Sequence, residues 1–161
     1  MRFSRARLPL AKRFPDNPYI QRLLAEAEQM GIRLAKSPVP EQWLYHPEHR
    51  IIYVWLPDLR GASLSYITMV LAHELGHARD FDRNPQHRET VRTLHWSAVP
   101  DHIERAAFIH GFLILQELRV PVDLEQYLAM IEEPMASQVR EALKQRLCVL
   151  EGAAGGQAHA G

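Results

Sequence analysis

Residues 63–83 read SLSYITMVLAHELGHARDFDR, a run that contains no charged side chain before Glu74. Either of its first two serines can cap a helix start, and the apolar residues that follow predict a largely buried helix. His73 and His77 stand one helical turn apart, so both imidazoles can face a single metal ion. Glu74 lies about 100° around the helix from His73, close to such an ion but outside its coordination shell. The run therefore predicts the central helix of the fold and, as H-E-x-x-H, a site that combines two metal ligands with a base.

The length and charge of the chain narrow the class of protein. At 161 residues it has the size of one domain that can bury a core, and its formal net charge is zero with histidine neutral. That balance gives no reason to expect a nucleic acid or a membrane surface as the partner. No run approaches the ~18 apolar residues that cross a bilayer, and the apolar stretch at 8–11 is too short for a signal peptide. Cys148 is the only cysteine, which suits a reducing compartment, so we predict a cytoplasmic protein.

The remaining patterns place short strands between helices. Apolar spacing predicts helices at 17–30, 101–115, 122–131 and 135–150, and aromatic or β-branched runs predict strands at 32–35, 43–45 and 51–55. The last two strands form a hairpin, and residues 84–100 predict a loop with one helical turn around 87–93. The order indicates an α+β fold with a small antiparallel sheet. One domain at 17–150 is expected between a basic, flexible arm at 1–16 and a disordered Gly/Ala-rich tail at 151–161.

A catalytic zinc site needs a third protein ligand besides the two histidines. The carboxylates and imidazoles downstream that can supply it are Asp80, Asp82, His87, Glu89, His95, His102 and Glu104. The metzincin spacing would need its third ligand at position 83, which is an arginine. Glu104 is favoured because it lies in the first turn of the second buried helix, and a helix presents a ligand more rigidly than a loop. Residues 101–104 also fit a capping box, in which Glu104 would bond to its own helix terminus, so both roles stay open.

Two further residues have predicted supporting roles. Asp80 follows His77 by one turn and is expected to orient an imidazole. His110 lies about 240° around its helix from Glu104, so the two side chains cannot face the same ion. We therefore predict that His110 is a hydrogen-bonded histidine of the core.

The order of three segments resembles the ImmA/IrrE-like zinc metallopeptidases, a branch of the gluzincins. A hairpin with an aromatic strand comes first, then VLAHELGHARDFD at 70–82, then a helix that opens IERAAFIHGFLIL at 103–115. The resemblance covers roughly residues 43–118, less than half the chain. It implies that the hairpin packs on a helical zincin core that carries the H-E-x-x-H helix and a glutamate-ligand helix.

The resemblance also implies the ligand set and a class of substrate. In this family the third ligand is a glutamate on a later helix, closely followed by alanine, and Glu104 matches because alanines stand at positions 106 and 107. Zn²⁺ would then be bound by His73, His77 and Glu104. Members of the family carry a helix-turn-helix domain or act on a neighbouring repressor, so the implied partner is a protein such as a transcriptional regulator. No helix-turn-helix signature appears in this sequence.

These residues predict a zinc-dependent endopeptidase of a specific intracellular protein. Glu74 would take the proton of a zinc-bound water that attacks a peptide carbonyl. The strand at 51–55 is expected to offer an edge along which an extended substrate pairs. Candidate donors to the developing oxyanion are Tyr45, Tyr53, Tyr66, His95 and His102.

Two other functions compete with hydrolysis. A zinc-stabilised interaction module would keep the fold without cleaving, but it would have little need for the base Glu74. A nucleic-acid-binding role would rest on the basic residues of the arm at 1–16. The neutral total charge and the lack of a basic helix face argue against it.

Overall fold

The structure is a computed structural model that describes the backbone of residues 9–155 and the side chains of residues 9–148. Its described part contains seven α-helices and one three-stranded sheet, which confirms the α+β class. In chain order the elements are α1 (Pro18–Gln29), β1 (Arg33–Lys36), β2 (Leu44–His46), β3 (Ile51–Val54), α2 (Asp58–Gly61), α3 (Leu64–Arg83), α4 (Pro85–Arg92), α5 (Asp101–Glu117), α6 (Leu124–Leu128) and α7 (Met135–Gly155). None of the described helices combines the length and the apolar character that crossing a bilayer requires.

The sheet is mixed, so the prediction of an antiparallel sheet is wrong in part. β2 and β3 form the predicted antiparallel hairpin, with Tyr45 opposite Ile52. β1 instead runs parallel to β3, with Leu34 opposite Ile52. The strand order is β1-β3-β2. After β1 the chain crosses to the far edge of the sheet and forms β2, and β3 then lies between β1 and β2. The sequence pattern of short strands does not encode which strand is inserted in this way.

The strand order also changes which strand has a free edge. β3 is bonded on both sides, so the predicted substrate edge at 51–55 is wrong. β2 is an edge strand, so the main-chain N–H and C=O groups on its outer side have no partner within the sheet.

The helix that carries the H-E-x-x-H residues is α3, and its start is capped as predicted. The hydroxyl oxygen of Ser63 accepts a hydrogen bond of 3.1 Å from the amide of Tyr66. Most of the helix is buried, including His73, Glu74 and His77. α1 likewise begins at its predicted cap, where the Asn17 side chain accepts from two main-chain amides at 2.9 and 3.2 Å.

α3 and α5 form the most extensive helix pair, and two glycines let them come close. A Cβ on Gly76 would overlap the carbonyl oxygen of Ala107 and lie 2.8 Å from the amide nitrogen of Gly111. A Cβ on Gly111 would lie 2.8 Å from the carbonyl oxygen of Ala72. The two backbones are therefore in direct contact just where α3 carries its histidines.

Gly76→Ala is expected to lower the free energy of unfolding by about 3 kcal/mol, because α3 and α5 must separate to accommodate the new methyl group. Helix propensity alone favours alanine by about 1 kcal/mol, so a net loss isolates the steric effect. Urea denaturation of both proteins measures the difference. Gly61→Ala is the matched control, since a Cβ at that position meets no atom within 4 Å. Wild-type stability of Gly76→Ala would contradict the close contact of the two helices.

The predicted limits of the domain need correction at both ends. Leu10–Arg13 form a 3-10 turn, and Phe14 is 5% exposed with its ring 6.1 Å from that of Trp43. The chain is therefore packed on the core from this point, and only residues 1–8 of the predicted arm lie outside the described residues. At the other end α7 extends to Gly155, past the predicted limit at 150, because alanine and the preceding turns sustain the helix. The remainder of the predicted tail lies outside the described residues.

The predicted loop at 84–100 contains a full helix, α4, followed by a short 3-10 turn at Trp96–Ala98. α4 buries none of its described residues, so no apolar period marks it in the sequence. Its signal was Pro85 at the first helical position, directly after Asn84.

Candidate metal centre

Three side chains from α3 and α5 converge on one point. The Nε2 atom of His73 lies 3.2 Å from one carboxylate oxygen of Glu104, and the Nε2 atom of His77 lies 3.1 Å from the other. The donor atoms of the three residues all lie within 4.8 Å of one another. The structure therefore brings together the three residues that the sequence suggests as ligands.

Glu104 does not cap its own helix. Pro100 occupies the N-cap of α5 and offers no side-chain bond, while Asp101 is already the first helical residue. Residues 101–104 therefore lack the N-cap to N3 relationship of a capping box, and that alternative is wrong. Burial opposes the ionisation of Glu104, but hydrogen bonds from His73 and His77 outweigh it and hold the pKa of Glu104 far below its usual range.

The same interaction affects His77. Burial alone would lower the pKa of His77, but the hydrogen bond and the charge of Glu104 raise it above its ordinary value.

The donor set matches the requirements of a zinc ion. Two imidazole nitrogens and one carboxylate oxygen are the protein ligands of a common class of catalytic zinc sites. A tetrahedral ion with bonds of about 2.1 Å separates its donors by roughly 3.4 Å. The distances of 3.1 and 3.2 Å between the histidine and glutamate donors are close to that separation. Small side-chain adjustments would thus admit an ion between the three residues.

Glu74 lies beside this cluster and has the properties of a base. It is 5% exposed, and burial raises its pKa, with the negative charge of Glu104 acting in the same direction. The two histidines and the main-chain amide of Tyr45 act in the opposite direction without cancelling the shift. A carboxylate whose pKa is raised accepts a proton more readily near neutral pH.

The four residues lie at a cleft of about 700 Å³. β2 and its flanking residues border the cleft, as do the last residues of α4 and residues between 94 and 99. Tyr66, Leu94 and Trp96 also line it, although they are 38%, 41% and 41% exposed. Large apolar side chains are rarely exposed together without a binding function, so this apolar rim marks the cleft as a site of contact.

Asp80 does not orient His77, so its predicted role is wrong. Asp80 is fully buried, and its carboxylate bonds to the Asn84 amide at 2.9 Å and to the His87 ring at 2.8 Å. Both partners come from the start of α4, of which the sequence predicts only one helical turn around 87–93. Asp80 thus fixes α4 to the end of α3.

His110 is buried as predicted, but its predicted hydrogen bond is not found among the described residues. Its Nδ1 atom has no partner, and its Nε2 atom lies 3.9 Å from an oxygen of Asp80. Burial is the main cause that lowers the pKa of His110 to about 4. A neutral core histidine accounts for this environment.

The other candidate ligands are engaged elsewhere. Asp82 pairs with Arg50 at 2.7 Å, Glu89 pairs with Arg92 at 2.9 Å, and the His102 ring packs against that of His87. The Nδ1 atom of His95 lies 2.6 Å from the Ser97 hydroxyl oxygen. The same atom accepts a hydrogen bond of 3.3 Å from the Ser97 amide and so caps the 3-10 turn. Among the suggested oxyanion donors, the cleft-lining residues are Tyr45, Tyr53, Tyr66 and His95, whereas His102 does not line it.

Sequence reasoning missed two aromatic residues that contact the imidazoles. The ring centroid of Phe108 lies 4.0 Å from that of His73, and that of Phe81 lies 5.6 Å from that of His77. A signal was present, because each phenylalanine follows a ligand by four residues on the same helix face, Phe81 after His77 and Phe108 after Glu104.

The chemistry open to this site follows from its residues alone. Two imidazoles and a carboxylate can hold a metal ion, an adjacent carboxylate can move a proton, and a cleft with an apolar rim can admit a chain molecule. Comparisons with protein-family models, with curated proteins and with solved structures return no match.

Proposed function

We propose that this protein is a zinc-dependent endopeptidase of the ImmA/IrrE-like kind, with a zincin core. His73, His77 and Glu104 are the proposed ligands of Zn²⁺, and Glu74 is the proposed catalytic base. The observation that carries the proposal is the convergence of the three donor atoms within 4.8 Å beside the buried carboxylate of Glu74. The resemblance at residues 43–118 supports an intracellular protein substrate such as a regulator.

Three protein ligands would leave the fourth coordination position of a tetrahedral zinc ion open to water or substrate. When bound by these three residues, zinc would supply a Lewis acid that lowers the pKa of a coordinated water toward ~7 and polarises a carbonyl oxygen. The bidentate position of Glu104 between the two imidazoles fixes all three donors on the floor of the cleft. His73 and His77 are buried, so water does not reach these two ligands from the protein interior.

Glu74 performs the proton transfers. Its carboxylate accepts the proton of the attacking water and returns it to the leaving amine, which breaks the peptide bond and yields a free amine and a carboxylate. Burial raises the pKa of Glu74. A higher pKa makes the carboxylate a better acceptor for the proton of the attacking water. The neighbouring amide of Tyr45 keeps it available as the charged base.

β2 and the apolar rim are the proposed substrate-binding surfaces. β2 is an edge strand that borders the cleft, so an extended peptide can pair with its outer main-chain groups. The rim at Tyr66, Leu94 and Trp96 would contact apolar side chains of that peptide. The substrate is therefore expected to present an extended segment with at least one large apolar residue.

Trp96→Ser is expected to lower kcat/KM for a cleaved peptide by about ten-fold, mainly through a higher KM, because it removes apolar contact area without touching the reacting groups. Steady-state kinetics measure the change. Leu64→Ser provides the control, since Leu64 is 49% exposed but does not line the cleft. Equal effects of the two substitutions would argue that the rim does not bind substrate.

The proposal as a whole is tested by metal content and proteolysis of the purified wild-type protein. We expect about one zinc per chain, cleavage of at least one cellular protein in a proteome-wide comparison, and loss of cleavage on chelation that zinc restores. Protein that binds no zinc would contradict the ligand assignment. Protein that binds zinc but cleaves nothing would instead favour a zinc-stabilised interaction module.

A further inference from the structure

The two proposed ligand histidines share an unusual environment. Each imidazole directs Nε2 toward Glu104, and each has a buried Nδ1 atom with no hydrogen-bond partner among the described residues. Metal-binding histidines normally donate the second ring N–H to a carboxylate or carbonyl, and this bond fixes the rotation of the ring. Among the described residues, no hydrogen bond at Nδ1 fixes His73 and His77, so on that side the orientation of the rings depends on packing.

Aromatic rings occupy the positions needed for this task. The Phe108 ring lies 4.0 Å from that of His73 with 33° between the planes, and the Phe81 ring lies 5.6 Å from that of His77 with 29° between the planes. A ring packed against the imidazole at such a small angle restricts rotation about the last side-chain torsion of the histidine, because turning the imidazole would drive its edge into that neighbour.

Each phenylalanine is itself held by a tyrosine. Phe81 is 4% exposed and lies between His77 and Tyr45, whose ring is stacked at 6.1 Å and 24°. Phe108 contacts the edge of the fully buried Tyr127 ring, and its carbonyl oxygen accepts a hydrogen bond of 2.6 Å from the Tyr127 hydroxyl. Each imidazole thus lies at the inner end of a series of packed aromatic rings, which is stacked for His77 and is tilted and then T-shaped for His73.

We propose that Phe81 and Phe108 are positioning residues that orient the metal-binding imidazoles by packing their rings against them, in place of hydrogen bonds at Nδ1. This inference rests on the proposed zinc site, and it assigns the affinity of that site in part to residues that are not themselves ligands of the ion. It also explains why the two phenylalanines lie four residues after a ligand on the same helix face.

Zinc affinity of Phe81→Leu and Phe108→Leu tests the inference, measured by competition with a chelating dye. Each substitution keeps a large apolar side chain but removes the flat ring, and each is expected to weaken zinc binding by about ten-fold, as loss of an outer contact does. Cobalt(II) in place of zinc gives a second readout, since its visible absorption reports ligand geometry. We expect the spectra of both variants to differ from that of the wild type.

Two controls separate positioning from general loosening of the core. Phe112→Leu removes another ring of α5 that packs on Tyr127, so it should reduce stability yet leave zinc affinity and the cobalt spectrum unchanged. Phe108→Tyr keeps the ring at a half-buried position and should retain wild-type affinity. This second variant remains informative if Phe81→Leu fails to fold.

The outcomes distinguish this inference from the proposed function. Wild-type affinity and spectra in both leucine variants would overturn the positioning role while leaving the zinc site intact. An equal loss in Phe112→Leu would overturn it as well, because the effect would then be general. A wild-type protein without zinc affinity would overturn the site and the inference together.

Discussion

Glu74→Gln is expected to lower peptide hydrolysis by at least ~100-fold while the protein keeps its zinc, since a positioned general base contributes rate factors of that order. Glutamine preserves the shape of the side chain but cannot accept the proton of the attacking water. Glu74 lies outside the three-donor cluster, so metal content should not change. Single-turnover cleavage together with metal analysis of the same preparation measures both effects.

Glu48→Gln is the matched control for this substitution. Glu48 also lines the cleft, but it is exposed and stands outside the three-donor cluster. Its replacement should leave cleavage close to that of the wild type. Undiminished cleavage by Glu74→Gln would rule out the base assignment, and loss of zinc from that variant would indicate that Glu74 is a ligand.

Glu104→Ala is expected to weaken zinc binding by more than the ~10–100-fold that loss of an outer contact costs, because it removes one of the three ligands. The free energy of unfolding of the metal-free protein should fall by only about 1–3 kcal/mol, because Glu104 caps no helix but its loss leaves the Nε2 atoms of His73 and His77 without a partner. Dye competition gives the affinity, and denaturation of the metal-free proteins gives the stability.

Glu117→Ala is the control for Glu104→Ala, because Glu117 is a second carboxylate through which α5 bonds to α3. It pairs with Arg79 at 2.7 Å and is 57% exposed, so its loss should cost less than about 1 kcal/mol. It should leave zinc affinity unchanged. Wild-type affinity in Glu104→Ala would refute the proposed ligand set.

The sequence predicted the site residues that lie on α3 and left the role of Glu104 on α5 undecided. The histidine spacing, the Ser63 cap and the apolar run fix α3 within a short window of sequence. Whether Glu104 caps α5 or faces α3 depends on where the helix begins and on how closely the two helices approach. That approach is set by the contact of Gly76 with Ala107 and of Gly111 with Ala72, which no local pattern reveals.

The errors in the fold have a similar origin. Strands of three or four residues carry too little pattern to specify a partner, so the parallel pairing of β1 with β3 could not be predicted. α4 lacks a buried face, so its residues show no helical period. Its attachment through Asp80 became visible only when His87 and Asn84 were located in space.

The position of Glu104 on a different helix from the histidines has a thermodynamic consequence. An ion held by these residues joins two distant points of the chain and closes a loop that contains α4 and the rim residues Leu94 and Trp96. The two histidines and Glu104 come together only in the folded protein, so metal binding and folding become linked equilibria. Both ends of the segment that shapes the cleft are then anchored at the ion. Loss of the metal would therefore destabilise the segment that carries α4, Leu94 and Trp96, and it would also remove the proposed activity.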